Sequence, residues 1–512
     1  MKNYETSERG RIDWLLTLLP FGLIALLAGY LFIFPMQANI IISQVRFFLG
    51  DTMGGYYIIM GIAVLGTSIF LCLSKYGDIV LGGPNEKPKY NFFSWGSMMF
   101  TCGLAADILF YSFDEWVMYA TNPHISDMGG SVTEWAGVFP LFHWSFIPWA
   151  FYLVLAAAFG FMLHVRKRDR QRFSEACLPV IGEKKAHGLL GRIIDVFALF
   201  ALLAGTATTF SVATPLMAEI IVSLFGIDIS RTAVTIIILL LTCAVYTYAV
   251  LHGFKGIGFL AKLCIFLFFG LLSVVFLAGG QSRFIIENGI QSLGKMVQHF
   301  IELSTYTDPG RKNCFPQDWT IYYWSYWMVW CIAAPFFIGN ISQGRTIRQT
   351  ISQGYLFGVG STIVSFIVLG NYSLGLQTAG AADFIAQYEK TGDLYELIMN
   401  IVHTMPISRV LLLWILLCMI AFYATSFDSI AYMAACYSYK SLNENEKPHI
   451  LIILLWCILL IILPIALIFS ESSMNNIQSV SIISAFPIGI VMILIIWSFI
   501  KDAGKYLAET IK

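Results

Sequence analysis

The stretch WTIYYWSYWMVWCIAAPFFIGNISQGRTIR, from Trp319 to Arg348, packs four tryptophans and three tyrosines into its first dozen residues. At about 100° per residue on a helix, Trp319, Tyr322, Tyr323, Tyr326, Trp327 and Trp330 gather on one face, while Trp324 is turned away from it. A ring face attracts a cation by about 0.5 to 1 kcal/mol when exposed and about 2 kcal/mol or more when water is excluded, and quaternary ammonium groups are its usual guests. The other place where Trp and Tyr collect in an apolar chain is the lipid–water interface, at the ends of a span. Tyr326 to Trp330 fall near the middle of the run, which favours a cage for a cation.

Outward from this stretch the whole chain is apolar. Hydrophobic residues make up 58% of the 512, charged residues 12%, and the mean hydropathy is +0.74. No ordinary water-soluble globule has that makeup, and the reading is an all-α integral membrane protein. A span takes about 20 apolar residues. About twelve stretches qualify: 13–34, 55–74, 94–118, 137–163, 191–223, 232–252, 257–280, 318–341, 350–377, 407–436, 449–470 and 477–500.

An even number of spans puts both termini on one side, which collects about 23 of the Lys and Arg residues against about 8 opposite. That bias makes the termini cytoplasmic, in a multi-pass protein of the cell (plasma or inner) membrane. The densest basic cluster, VRKRDRQRF from Val165 to Phe173, fixes topology on this reading, with contact to anionic lipid as the next role and no nucleic-acid partner. The ten cysteines form no C-x-x-C pair and have no His at metal spacing, so neither a metal site nor a disulfide framework is expected.

No linker or low-complexity tract divides the chain, so residues 1–512 read as a single transmembrane domain. Between the seventh and eighth stretches, FIIENGIQSLGKMVQHFIELS spaces its apolar residues at helical period and reads as an amphipathic helix on the membrane surface. Two spans are interrupted. The third carries Gly103 and the acid Asp107 within TCGLAADILFYSFDEW, and the eighth carries Pro335 and Gly339. Interruptions five spans apart fit an inverted repeat whose broken helices make a site near the bilayer midplane.

A charge at the bilayer centre costs at least about 2.5 to 3.5 kcal/mol on insertion scales, so an acid there faces a cavity or a partner. Asp107 shares a helix face with Tyr111 and Glu115, and two roles stand open for it: cation binding or proton coupling, or capping a broken helix or pairing internally. Asp114 and Glu115 lie nearer the external end, where solvated carboxylates are an equal reading. In the fifth span Thr206, Thr208, Thr209 and Ser211 crowd together, and in the tenth ATSFDS supplies Thr425, Ser426, Asp428 and Ser429. Such hydroxyls are hard oxygen ligands suited to a coupling sodium ion, or they bond their own helix backbone. The fourth span, LFHWSFIPWAFY, offers Trp144, Trp149 and Tyr152 as a second aromatic wall, with His143 read as a structural residue. No nucleophile elbow, zinc-binding helix motif or P-loop appears, so the protein is not expected to be an enzyme or to hold a cofactor. A channel or sensor is the competing class, but neither a pore-loop filter nor a signalling domain is evident.

At these residues the chain resembles the betaine/carnitine/choline transporter family. FPQDWTIYYWSYW followed by ISQGRTIR resembles the family's F-P-x-x-W-T-x-F-Y-W-A-W-W and S-R-G-R-T-x-R; HWSFIPW resembles H-W-G-x-x-x-W; LFYSFDE resembles L-F-[WY]-x-x-x-E; ATSFDS resembles V-T-S-x-D-S. The resemblance implies a LeuT-like secondary transporter, commonly a homotrimer, that moves quaternary ammonium compounds by alternating access. Two leading helices (13–80) would precede a five-plus-five inverted repeat, residues 94–280 and 317–501, with the surface helix at 281–316 between the halves. It implies a cage of Tyr152, Tyr326, Trp327 and Trp330, a path lined by Trp144 and Trp149, and sodium ligands at Thr425 and Ser426 and in the Thr206–Thr209 cluster.

Four departures from the pattern sharpen the reading. Tyr326 stands where most members have Trp, and Asn340 and Gln343 replace two arginines. Gly258 stands where the sodium-independent carnitine/γ-butyrobetaine antiporters have arginine. Asp107 occupies the last glycine of a third-span G-x-G-x-G, as in the choline-transporting branch, some of which is proton-coupled. The expectation is a sodium- or proton-coupled symporter, for choline first and carnitine or betaine second. Asp107→Gly is expected to raise the ratio of betaine to choline uptake, since the acid attracts choline and repels a carboxylated substrate; an unchanged ratio in an uptake assay contradicts this.

Overall fold

A bilayer core offers no water to unpaired N–H and C=O groups, so apolar runs of this length satisfy the backbone internally, as helices. The computed structural model describes residues 12–103, 106–168, 170–226, 228–252, 257–440, 448–469 and 474–510, with side chains undescribed at 101–103, 246–252, 257–262, 424–429, 469 and 474–477. Among the described residues there is no strand, only the isolated bridges Ile12–Tyr439 and Val80–Thr346.

Ten of the twelve apolar stretches carry one principal helix: Trp14–Ile33, Gly54–Leu73, Phe146–Gly160, Leu189–Phe225, Arg231–His252, Ile257–Ala278, Ile347–Ser365, Ser408–Tyr437, Ile450–Phe469 and Met474–Thr510. The third and eighth are split, into Phe92–Gly103 with Asp107–Ala120, and Ile321–Trp330 with Ala334–Ile341. By length and apolarity, seven helices among the described residues can cross a bilayer, or nine if each bent pair is one span. Arg231–His252 and Ser408–Tyr437 fall outside this count because their side chains are described without a break only over Arg231–Val245 and Ser408–Tyr423.

The break in the eighth segment has a local cause. Pro335 stands in the first turn of the second piece, where its missing N–H costs nothing and its fixed φ starts a new helix. The two pieces bend by 54°. The short piece then crosses the fourth-segment helix at very close range. A Cβ on Gly339 would stand 2.7 Å from Gly160 N and 2.9 Å from Ala156 O, so only glycine permits this contact, and Phe159 stacks on Phe336 at 3.7 Å beside it.

The segment expected to be one surface helix over 281–316 forms two, Ser282–Gln298 and Phe300–Thr305. The first turns 112° from the preceding helix and buries Ile285, Gly289, Ser292 and Met296, a stripe three or four residues apart. Two further short helices, Phe384–Thr391 and Leu394–His403, pack against Asp107–Ala120. The second is capped by Asp393, whose carboxylate accepts from the N–H groups of Tyr395 and Glu396.

Gly339→Ala is expected to destabilise the protein by about 1 to 3 kcal/mol, because the added methyl meets backbone rather than a side chain that can swing aside. Thermal unfolding in detergent reads this as a lowered midpoint. An unchanged midpoint would show that the crossing is looser than these distances.

Candidate functional site

Asp107, Tyr111, Glu115 and Tyr119 recur every four residues, so they form a stripe along one helix. That stripe lies antiparallel to the aromatic run of the eighth segment. Tyr326 Oη donates to Asp107 Oδ2, Tyr111 Oη and Tyr322 Oη are 2.8 Å apart, and the rings of Tyr119 and Trp319 meet edge to face at 5.0 Å. Tyr326 has one hydroxyl proton, given to Asp107, and therefore accepts from Thr209 Oγ1 of Leu189–Phe225. One hydrogen-bond chain thus joins the third, eighth and fifth segments.

Glu115 is buried, with no exposed surface. Its carboxyl group accepts from Tyr119 Oη and, at 2.8 Å, from Trp144 Nε1. Tyr119 Oη also lies 2.7 Å from His143 Nδ1, and His143 Nε2 lies 3.0 Å from Thr320 Oγ1. Both ring nitrogens of His143 therefore have partners, the arrangement of a structural histidine. Of the two equal readings of Asp114 and Glu115, the solvated one is excluded: both are fully buried, because surface helices and neighbouring segments cover this end of the third segment. Asp114 is the odd member, since neither carboxyl oxygen has a hydrogen-bond partner among the described residues.

Above Glu115 the rings converge. Trp144 meets Trp327 at 5.7 Å, Trp149 meets Trp327 at 5.5 Å and Tyr152 at 5.7 Å, and Tyr152 meets Trp327 at 4.8 Å. The ring of Trp149 lies over Gly358, where a Cβ would come within 2.5 Å of it, so the ninth segment's glycine makes room for the cluster. The indole N–H groups of Trp149 and Trp327 are buried and have no hydrogen-bond partner among the described residues.

The residues singled out from sequence therefore divide into groups. Trp144, Trp149, Tyr152 and Trp327 share one aromatic cluster. Tyr326 and Asp107 belong to the adjoining hydroxyl–carboxyl chain. Trp330 stands apart, half-buried, with its indole 3.3 Å from where a Cβ on Gly205 would be. Thr206 Oγ1 donates to Leu202 O at 2.8 Å, and Thr208 Oγ1 to Ala204 O at 3.0 Å, with Ser481 Oγ at 2.8 Å from Thr208. Thr425 and Ser426, and likewise Asp428, Ser429 and Gly258, lie outside the residues whose side chains are described. Glu115, left open in the sequence between a solvated and a functional acid, joins this site on the stripe of Asp107 and Tyr111. Gln343, at one of the replaced arginines, donates to Glu86 Oε1 at 2.5 Å.

The family model described as BCCT, betaine/carnitine/choline family transporter, matches residues 15–507.

Asp114 gives the sharpest structural test of this site. A buried carboxyl with no partner costs about 1 to 3 kcal/mol, so Asp114→Leu is expected to stabilise the protein by that order. A raised denaturation midpoint is the expected result; a clear loss of stability would mean that the carboxyl makes a bond the rest of the network depends on.

Proposed function

The chain belongs to the betaine/carnitine/choline transporter family, a family of membrane transporters, and from that premise we propose that it carries choline across the cell membrane by alternating access, as a homotrimer driven by an ion gradient. The observation that carries the proposal is the pairing of a buried aromatic cluster with two buried acids. Trp144, Trp149, Tyr152 and Trp327 offer π-faces to a trimethylammonium head. Glu115 is bonded directly to Trp144, and Asp107 to Tyr326, the residue beside Trp327.

This charge pattern separates the family's substrates. Choline brings one positive charge and a hydroxyl. Betaine and carnitine bring a carboxylate as well, and a like charge at about 5 Å costs about 3 kcal/mol at an effective dielectric constant of about 20. One observation favours a second reading, exchange of carnitine for γ-butyrobetaine: the free indole N–H groups of Trp149 and Trp327 suit a carboxylate. They suit the hydroxyl of choline equally, which leaves the acids to decide.

For coupling, the chain Thr209–Tyr326–Asp107 supports a proton over sodium, because a hydroxyl chain ending on a carboxyl group is built to hold and release one. The hydroxyls of Thr206 and Thr208 already serve their own helix backbone. A hydroxyl that donates to its helix keeps its lone pairs, so sodium as the coupling ion would draw on these two, on Ser211 Oγ, which has no hydrogen-bond partner among the described residues, or on the tenth-segment hydroxyls.

Calorimetric titration with choline tests the cage. Trp327→Leu is expected to weaken binding at least about tenfold, the loss of one desolvated cation–π face, and Trp327→Phe to recover part of it. Equal affinity in the wild type and Trp327→Leu would remove the cluster from the binding site.

A further inference from the structure

Far from the aromatic cluster, where the helices Trp14–Ile33 and Leu189–Phe225 begin, a pocket is lined by Asp13, Arg170, Arg172, Arg192, Asp195 and Lys440, among others. Its buried floor is a finished network. Arg172 lies 3.7 Å from the carboxylate of Asp13 and 3.5 Å from that of Asp195, and donates to the carbonyls of Tyr437, at 2.9 Å, and Tyr439. Ser174 completes Asp195 with its N–H at 3.0 Å and its hydroxyl at 2.9 Å. His187, also on the wall, is taken by Glu175 at 2.9 Å.

The rim is different. The side chains of Arg170, Arg192 and Lys440 have no hydrogen-bond or ion-pair partner among the described residues. Four guanidinium or ammonium groups thus face two carboxylates, both of them already engaged by Arg172, and the uncommitted charge is positive. Such a rim attracts an anion with several acceptor oxygens, the chemistry of a phosphate.

The surroundings choose between phosphates. Trp14 follows Asp13 and is 57% exposed, and Leu189, Leu190 and Ile193, around Arg192, are 73%, 41% and 42% exposed. These large apolar side chains stand at the starts of two membrane helices, so their exposed faces meet acyl chains and the pocket sits at headgroup depth. A soluble phosphate has no use for that apolar apron. We propose that this pocket binds the phosphate of an anionic phospholipid, whose acyl chains run over Trp14, Leu189, Leu190 and Ile193. The lipid would clamp the start of the first helix, the basic loop after the fourth segment and the start of the fifth, which the Arg172 network already joins.

Native mass spectrometry of the delipidated full-length protein tests this. Phosphatidylglycerol is expected to bind more tightly than phosphatidylcholine, and Arg170→Gln/Arg192→Gln/Lys440→Gln, which leaves the Arg172 floor intact, to weaken the first phosphatidylglycerol at least about tenfold. Lys184→Gln/Lys185→Gln removes exposed charge nearby but outside the pocket and is expected to change little. Equal loss in both variants, or no preference for the anionic lipid, would overturn the pocket. Displacement of the lipid by inorganic phosphate at matching concentration would overturn the choice of lipid over a soluble anion.

Discussion

The site depends on the antiparallel register between two helices, Asp107–Ala120 and Ile321–Trp330. Steps of four and then eight residues on the first, against four and then three on the second, bring Asp107 to Tyr326, Tyr111 to Tyr322 and Tyr119 to Trp319. A slip of one residue would rotate each helix by about 100° and leave buried hydroxyl and carboxyl groups unpaired, at about 1 to 3 kcal/mol each. That penalty fixes the register. Everything else at the site hangs from it: Glu115 is delivered to Trp144, and Trp144 to Trp327.

Two departures of this chain from its family's pattern turn out to be one interaction. Asp107 in place of glycine and Tyr326 in place of tryptophan are 219 positions apart, and the hydroxyl of one donates to the carboxyl of the other. An acid here without the tyrosine would be a second unpartnered buried carboxyl, as Asp114 is. A tryptophan at 326 has an N–H but no acceptor, and could not also receive the proton of Thr209. The pair thus adds an acid beside the aromatic cluster while keeping it hydrogen-bonded.

Much of this was legible in the chain. Apolar runs gave the helices, because a bilayer allows little else, and Pro335 and Gly339 marked the eighth segment's break. The helical face of the aromatic run was readable from its spacing, including Trp324, which turns away and lies against Gly61. Three features were not legible. Trp330 ends its helix just before the bend, so its side chain follows the packing at Gly205 instead of the face of Tyr326 and Trp327. Glu115 stayed open between a solvated and a functional acid because nothing in its own neighbourhood shows that segments distant in sequence cover it. Spacing left the Thr206–Thr209 cluster open between ion ligands and bonds to its own helix, and Thr206 and Thr208 make the backbone bonds.

The central claim, that aromatic rings hold a cationic head while buried acids disfavour a carboxylated one, is tested most directly by uptake into proteoliposomes. Labelled choline, carnitine and betaine would be offered under an imposed pH or sodium gradient, and again with substrate preloaded inside and no gradient. Saturable choline uptake, driven by a gradient and exceeding that of the two carboxylated compounds, is expected. Uptake of carnitine that responds only to preloading, or choline movement that never saturates, would contradict it.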